Sequence, residues 1–252
     1  FAFLGWSLAS VLGMPLSAWV AEVAGWRWAF GGVALLSLAA AALVWRALPD
    51  GVRPPPLSRA DWGRVFGSPA LLVTVAVTAL SAAGQFSVFS YLTPYYRQVL
   101  GASPGEVSLL LAWYGALGVV GNVLVSRAIG RLGAARAVGV TLALMAVTMA
   151  LWPLAHSLPA MAAVLVPWAL GCFSSNSAQQ ARLAMAAPPL APALIALNTS
   201  AIYAGQAMGA ASGGAIVATV GYAPLSWAAL AWLLAALAAS LWAAAALRRA
   251  HG

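Results

Sequence analysis

Apolar residues run through this chain in long, nearly unbroken stretches, with no alternating or heptad pattern, and the polar ones collect in short gaps between them. Eight stretches stand out, at 1–21, 26–48, 68–93, 104–126, 136–156, 159–181, 191–220 and 222–247. Each reaches about 20 residues, the length at which a helix rising about 1.5 Å per residue crosses a hydrocarbon layer ~30 Å thick. Charge, Gly or Pro bounds every one of them. The pattern predicts an all-α polytopic membrane protein with eight transmembrane helices. One longer connection, 49–67, holds Pro54, Pro55 and Pro56, then Arg59, Asp61 and Arg64. It predicts a stiff extended piece leading into a short amphipathic segment at the membrane surface. The chain is thereby divided into 1–48, a linker 49–67, and 68–252.

Composition strengthens this reading. Of 252 residues, 63% are hydrophobic and 6% charged, against about 25% charged in soluble domains, which excludes an ordinary soluble globule. The net charge of +8 comes from twelve Arg and no Lys, all in or beside the polar gaps, so a lipid bilayer rather than nucleic acid is the expected partner. With eight spans, alternate gaps share one side. One side then takes Arg46, Arg53, Arg59, Arg64, Arg127, Arg131, Arg136, Arg182, Arg248 and Arg249, and the other only Arg27 and Arg97. The positive-inside rule makes the first side, and both chain ends, cytoplasmic. Absence of Lys beside abundant Ala, Arg and Gly points to a GC-rich bacterial genome, hence a bacterial inner membrane. Phe1 opens inside an apolar run without a basic region or cleavage site, so the chain is expected to be a piece of something longer. The single Cys172 permits no intrachain disulfide and no thiolate metal cluster.

Amide side chains are costly in hydrocarbon unless they meet partners or water, so their positions indicate which helices face something other than lipid. Gln85 lies in the third span, Asn122 in the fourth, Asn176, Gln179 and Gln180 in the sixth, and Asn198 and Gln206 in the seventh. The second, fifth and eighth spans contain none, as expected of lipid-facing helices. Tyr91, Trp113, Tyr114, Ser174, Ser175, Ser177 and Tyr203 add to the four polar spans, a set suited to the wall of a hydrated cavity for a small, partly polar molecule. Interhelical hydrogen bonding without a ligand is the alternative for any single amide. Small residues recur every fourth position at Gly5, Ala9, Gly13 and Ser17 and at Gly205, Gly209 and Gly213. Such stripes serve either a static helix contact or a rocking seam.

Enzymatic chemistry lacks its groups. Glu22, Asp50, Asp61 and Glu106 all fall in connections or at span ends, and His156 sits near the external end of the fifth span. No HExxH, phosphate-binding loop or buried carboxylate pair occurs. No cofactor or metal is expected.

The stretch GNVLVSRAIGRLGAAR, Gly121 to Arg136, resembles the cytoplasmic loop signature of the major facilitator superfamily, roughly GxxxGxRxxDRxGxRR. Gly121, Asn122, Arg127, Arg131, Gly133 and Arg136 match; Ser126 replaces a Gly and Gly130 stands where Asp is usual. GMPLS at Gly13 with GWRWAF at Gly25 is similar to the end of the family's fifth helix and the start of its sixth. YLTPYY at Tyr91 resembles the end of the seventh helix, and LNTSAIYAGQAMGAASGG from Leu197 the eleventh helix, of its arabinose-efflux and drug-efflux subgroup. The resemblance implies helices five to twelve of a twelve-helix transporter, a monomer when full length, exporting a small organic molecule by alternating access in exchange for protons. The substrate class stays open among sugar, nucleoside, amino-acid derivative and drug. On this reading Gln85, Tyr91, Tyr114, Asn176, Gln179, Asn198 and Gln206 line the substrate path. Arg127, Arg131 and Arg136 stabilise the cytoplasmic gate, and the proton-coupling acid lies outside this sequence. An uptake permease of the same fold and a non-transporting membrane sensor remain as alternatives.

Overall fold

Serine, proline and glycine mark where the helices begin and turn. The computed structural model describes residues 12–47 and 57–251, and all regular structure among them is helical. The elements are α1 (Met14–Val23), α2 (Trp26–Ala47), α3 (Arg59–Phe66), α4 (Pro69–Phe89), α5 (Leu92–Gln98), α6 (Pro104–Leu132), α7 (Ala134–Leu151), α8 (Leu158–Ala186), α9 (Ala191–Val220) and α10 (Leu225–His251). Ser58 opens α3 with a reciprocal capping box: its hydroxyl accepts from the Asp61 amide, and Asp61 accepts from the Ser58 amide at 2.8 Å. Ser103 and Glu106 repeat the device at α6, satisfying amides that a helix start leaves without partners. Ser68 and Ser157 cap α4 and α8, each followed by Pro in the first turn, where a missing N–H costs nothing. Gly133, at φ +80, reverses the chain between α6 and α7, a backbone that L side chains adopt rarely. The Ser58 hydroxyl and amide, and then Arg64, hold the Asp61 carboxyl below its ordinary value of 3.8. A lowered carboxylate stabilises above that ordinary value and loses its contribution as pH falls through the lowered one.

Among the described residues six stretches are long and apolar enough to cross a membrane: α2, α4 continued through α5, α6, α7 with the turn after it, α8 and α10. At 30 residues α9 matches them in length, with its amides, hydroxyls and glycines diluting its hydropathy. Of the first expected span only α1 falls among the described residues. Gly5, Ala9 and Pro54 to Pro56 lie outside them. Two helices run further than expected, α6 to Leu132 rather than 126 and α8 to Ala186 rather than 181. Arg127, Arg131 and Arg182 are therefore helical residues. Arg is a good helix former whose long stem crosses apolar surface, so it did not end these helices.

The packing has a hidden symmetry. The α4 helix lies along both α9 and α10, α8 lies along both α6 and α7, and α7 meets α10. Exchanging α4, α6 and α7 for α8, α9 and α10 maps these contacts onto themselves. Because each repeat holds three crossings, the second is inverted relative to the first. Glycine occupies the same kind of place in each seam. Gly205, Gly209 and Gly213 of α9 lie over the carbonyls of Ala79, Ala83 and Ser87 on α4, and Gly118 and Gly121 of α6 lie against Phe173 and Leu170 on α8. Gly84 of α4 faces Ala229 and Leu233 on α10, as Gly171 of α8 faces Thr141 and Met145 on α7. A Cβ at any of these would overlap the facing helix. The α9 stripe is thus a backbone-to-backbone contact.

The fifth span, amide-free and expected to face lipid, is α7, which buries nine of its residues against α8 and α10, including Val138, Leu142, Met145 and Met149. Lipid tails are as apolar as Leu, so apolarity alone cannot separate a lipid-facing helix from a protein-facing one. Among the described residues nothing packs closely enough on α2 to bury any of its residues.

The seams give a direct prediction. In detergent-solubilised intact protein, Gly209→Ala or Gly121→Ala lowers stability by about 1–3 kcal/mol through overpacking, read as the loss in thermal unfolding. Gly63, with open space around its would-be Cβ, gives the opposite sign: Gly63→Ala gains about 0.5–1 kcal/mol from helix propensity.

Candidate functional site

Four helices bring their amides to one cavity. It has a volume of about 330 Å³ and is walled by α4, α6, α8 and α9, with Val138 of α7. Gln85 comes from α4, Tyr114 from α6, Asn176 and Gln179 from α8, and Gln206 from α9. Two of the seven expected residues stand elsewhere. Tyr91 donates its hydroxyl to the Ala210 carbonyl at 2.7 Å and packs against Gly213 and Gly214, so it pins α4 to α9 and does not face the cavity. Asn198 is fully buried behind the wall, accepting from Thr78 Oγ1 at 2.5 Å. An amide in a membrane helix reaches either a ligand or a neighbouring helix, and spacing along the chain does not tell which.

The wall is ordered by its own bonds. Gln179 donates through Nε2 to the Thr74 carbonyl. A carbonyl cannot donate, so this partner fixes the amide's orientation and turns Oε1 away as a pure acceptor. That oxygen and Asn176 Oδ1 are buried and make no hydrogen bond among the described residues. Gln85 is already engaged, accepting from the Trp168 indole N–H at 3.4 Å and donating to Ser81. Asn122 accepts from Ser177 at 2.9 Å. Rings close one end: Tyr114 lies edge-on to Trp168 at 5.1 Å and to Phe173 at 6.1 Å, with Phe89 at 5.9 Å. Among the described residues no charged side chain lines the cavity. Such a wall offers ring faces for stacking and amide oxygens for donors.

Trp168 was not distinguishable in the sequence, where it is one of twelve tryptophans. The signal is Pro167 beside it, inside α8, which removes one donor from the helix's hydrogen-bond ladder at that point. Arg182 is the other surprise. It was expected in a cytoplasmic connection, yet only 4% of it is exposed, and its two terminal nitrogens donate to Ser240 Oγ and the Ser240 carbonyl on α10 at 2.8 and 2.9 Å. Among the described residues the only ion pair joins Arg64 and Asp61, so no carboxylate there balances Arg182. Removing Arg182 from the count leaves nine Arg against two, and the asymmetry between the sides survives.

The three Arg expected at a cytoplasmic gate cluster around one turn. Arg127 and Arg131 lie in the last two turns of α6, Arg136 in the first turn of α7, and all three are exposed without a carboxylate partner among the described residues. The C-terminal end of α6 favours the first two through its partial negative charge. His156 is exposed in the turn between α7 and α8, away from the cavity wall.

Arg182 yields a two-sided prediction. Arg182→Lys, which cannot make the forked pair to Ser240, costs about 1–3 kcal/mol. Arg182→Met, similar in volume and uncharged, is neutral within about 1 kcal/mol or stabilising, because it removes a buried charge. Thermal unfolding of the two variants side by side reads the difference.

A family model described as Major Facilitator Superfamily matches residues 1–103 and again 75–251. The chain is 27% identical over 241 residues to the Uncharacterized MFS-type transporter YbcL of Bacillus subtilis (strain 168), covering 94% of this chain and 61% of that protein. It is 31% identical over 242 residues to the Transcription regulatory protein OpdE of Pseudomonas aeruginosa, covering 92% and 59%. It is 29% identical over 224 residues to the Inner membrane transport protein YdhP of Escherichia coli (strain K12), covering 87% and 57%. The chain thus spans about six tenths of the length of these curated relatives.

Proposed function

This chain belongs to the major facilitator superfamily, and on that premise we propose that it forms the larger part of a bacterial inner-membrane exporter working by alternating access. The observation that carries this is the cavity to which four helices, two from each inverted repeat, deliver Gln85, Tyr114, Asn176, Gln179 and Gln206. In transporters built from repeats, substrate sits near the midplane at such a meeting point. Residues 1–48 belong to the first half of the transporter, 49–67 to the linker, and 68–252 to the second half, with the C-terminus cytoplasmic. The whole protein acts as a monomer.

The chemistry of the wall narrows the cargo. Aromatic faces and amide oxygens without any charge suit an uncharged, ring-bearing small molecule that donates hydrogen bonds. A carboxylate or phosphate would meet no cation on this wall. Outward direction and proton exchange follow the resemblance of the α9 and Tyr91 stretches to efflux proteins. Among the described residues the wall carries no carboxylate or histidine, and the resemblance puts the proton-coupling acid outside this sequence. Arg127, Arg131 and Arg136 hold the cytoplasmic gate or anionic lipid heads at that face.

The test uses the full-length protein in a strain lacking it. Its expression raises the extracellular level of at least one uncharged ring compound, and Asn176→Ala with Gln206→Ala lowers that export roughly tenfold, the effect of losing about one buried hydrogen bond to substrate. Unchanged export in the double variant contradicts the site. A second reading, a membrane sensor that binds its solute without moving it, is favoured by the name of one relative, a transcription regulatory protein. Binding without flux in proteoliposomes selects that reading.

A further inference from the structure

The hydrogen-bond ladder of α8 is interrupted where the helix enters the cavity wall. Pro167 lies inside the helix and has no N–H to give to the carbonyl four residues back. At the next rung a side chain from another helix steps in. The Trp168 amide donates to Thr148 Oγ1 at 2.9 Å, and the same hydroxyl donates to the Val164 carbonyl at 2.8 Å. Val164 is the residue whose carbonyl Trp168 takes in a regular helix, so the α7 hydroxyl bridges the two ends of that rung. Thr148 and Trp168 are both fully buried. An inserted side chain and a proline are each recognised causes of a helix kink, and here they coincide.

The break stands directly behind the cavity. The Trp168 indole lines it and bonds Gln85 of α4, and Cys172, one turn further along α8, lines it too. The symmetry of the fold makes the device stand out: α4, the counterpart of α8, carries no proline beyond its first turn. Resting on the reading of this cavity as the substrate path, we infer that Thr148 is a positioning residue: its hydroxyl, wedged into α8 at Pro167 and Trp168, holds the Trp168 indole against Gln85. Thr148 thereby sets the opening of the cavity and marks where α8 bends during transport. A plain packing contact between α7 and α8 would need only the methyl group of Thr148. The hinge needs the hydroxyl.

Thr148→Val keeps the shape and removes the hydroxyl, leaving the Trp168 amide and Val164 carbonyl facing a methyl group. Thr148→Ser keeps the hydroxyl. In the full-length protein in detergent, two readouts need no substrate: hydrogen exchange of peptides covering 164–170, and the rate at which N-ethylmaleimide alkylates Cys172, followed on the Cys172 peptide by mass spectrometry. Thr148→Val speeds both by about fivefold, the factor that one lost hydrogen bond makes in a local opening equilibrium, and Thr148→Ser stays at the wild-type rate. Folded Thr148→Val with wild-type exchange, or Thr148→Ser behaving like Thr148→Val, overturns the inference. If Thr148→Val does not fold, Pro167→Ala carries the test. Restoring an amide to the ladder must slow exchange over 164–170, and an unchanged rate overturns the hinge. If Cys172 resists alkylation in every variant, as a buried thiol does, exchange over 164–170 alone decides the hinge.

Discussion

Helices in a bilayer gain nothing from hiding apolar surface from one another, so this fold depends on how closely their backbones approach. The α4 and α8 helices are each gripped on both sides through glycine: α4 by Gly205, Gly209 and Gly213 of α9 and by its own Gly84 against α10, α8 by Gly118 and Gly121 of α6 and by its own Gly171 against α7. Close backbone contact gives dispersion that bulkier residues would forfeit. It also decides what is left over. With α4 locked to α9 and α8 to α6, the remaining faces of these four helices converge on a space that no glycine seam closes, and there the amides stand.

The cavity follows from this division of labour. Where seams are tight, polar groups bond across them, Tyr91 to the Ala210 carbonyl, Asn198 to Thr78 and Arg182 to Ser240, although Asn198 Nδ2 and Arg182 Nε make no hydrogen bond among the described residues. Where they part, Asn176 and Gln179 keep buried oxygens without partners. Unpaired acceptors in a low-dielectric wall are costly unless a solute or water meets them.

Much of this was legible in the sequence. Unbroken apolar runs located the long helices, capping serines and prolines their starts, and the uneven distribution of amides singled out α4, α6, α8 and α9. What escaped was any feature decided by a partner far along the chain. The burial of α7 escaped because lipid and protein interiors are equally apolar. Arg182 escaped because a charge beside a span reads as its end unless the Ser240 that receives it, 58 residues away, is known. Tyr91 was expected to face substrate because it stands in one of the four spans that carry amides, whereas its hydroxyl belongs to a seam. Thr148 carried no signal of its own, since a threonine in an apolar helix ordinarily bonds its own backbone.

The central claim is that the amides of four helices face water rather than one another. Single cysteines placed at Gln85, Asn176 and Gln206 of the full-length protein, with Leu241 on the exposed apolar surface of α10 as control, can be challenged in membrane vesicles with a membrane-impermeant maleimide. Labelling at the three wall positions and silence at Leu241 is the predicted result. Silence at all three wall positions in vesicles of both orientations would mean that the amides only bond helix to helix, and that the cavity is not a path.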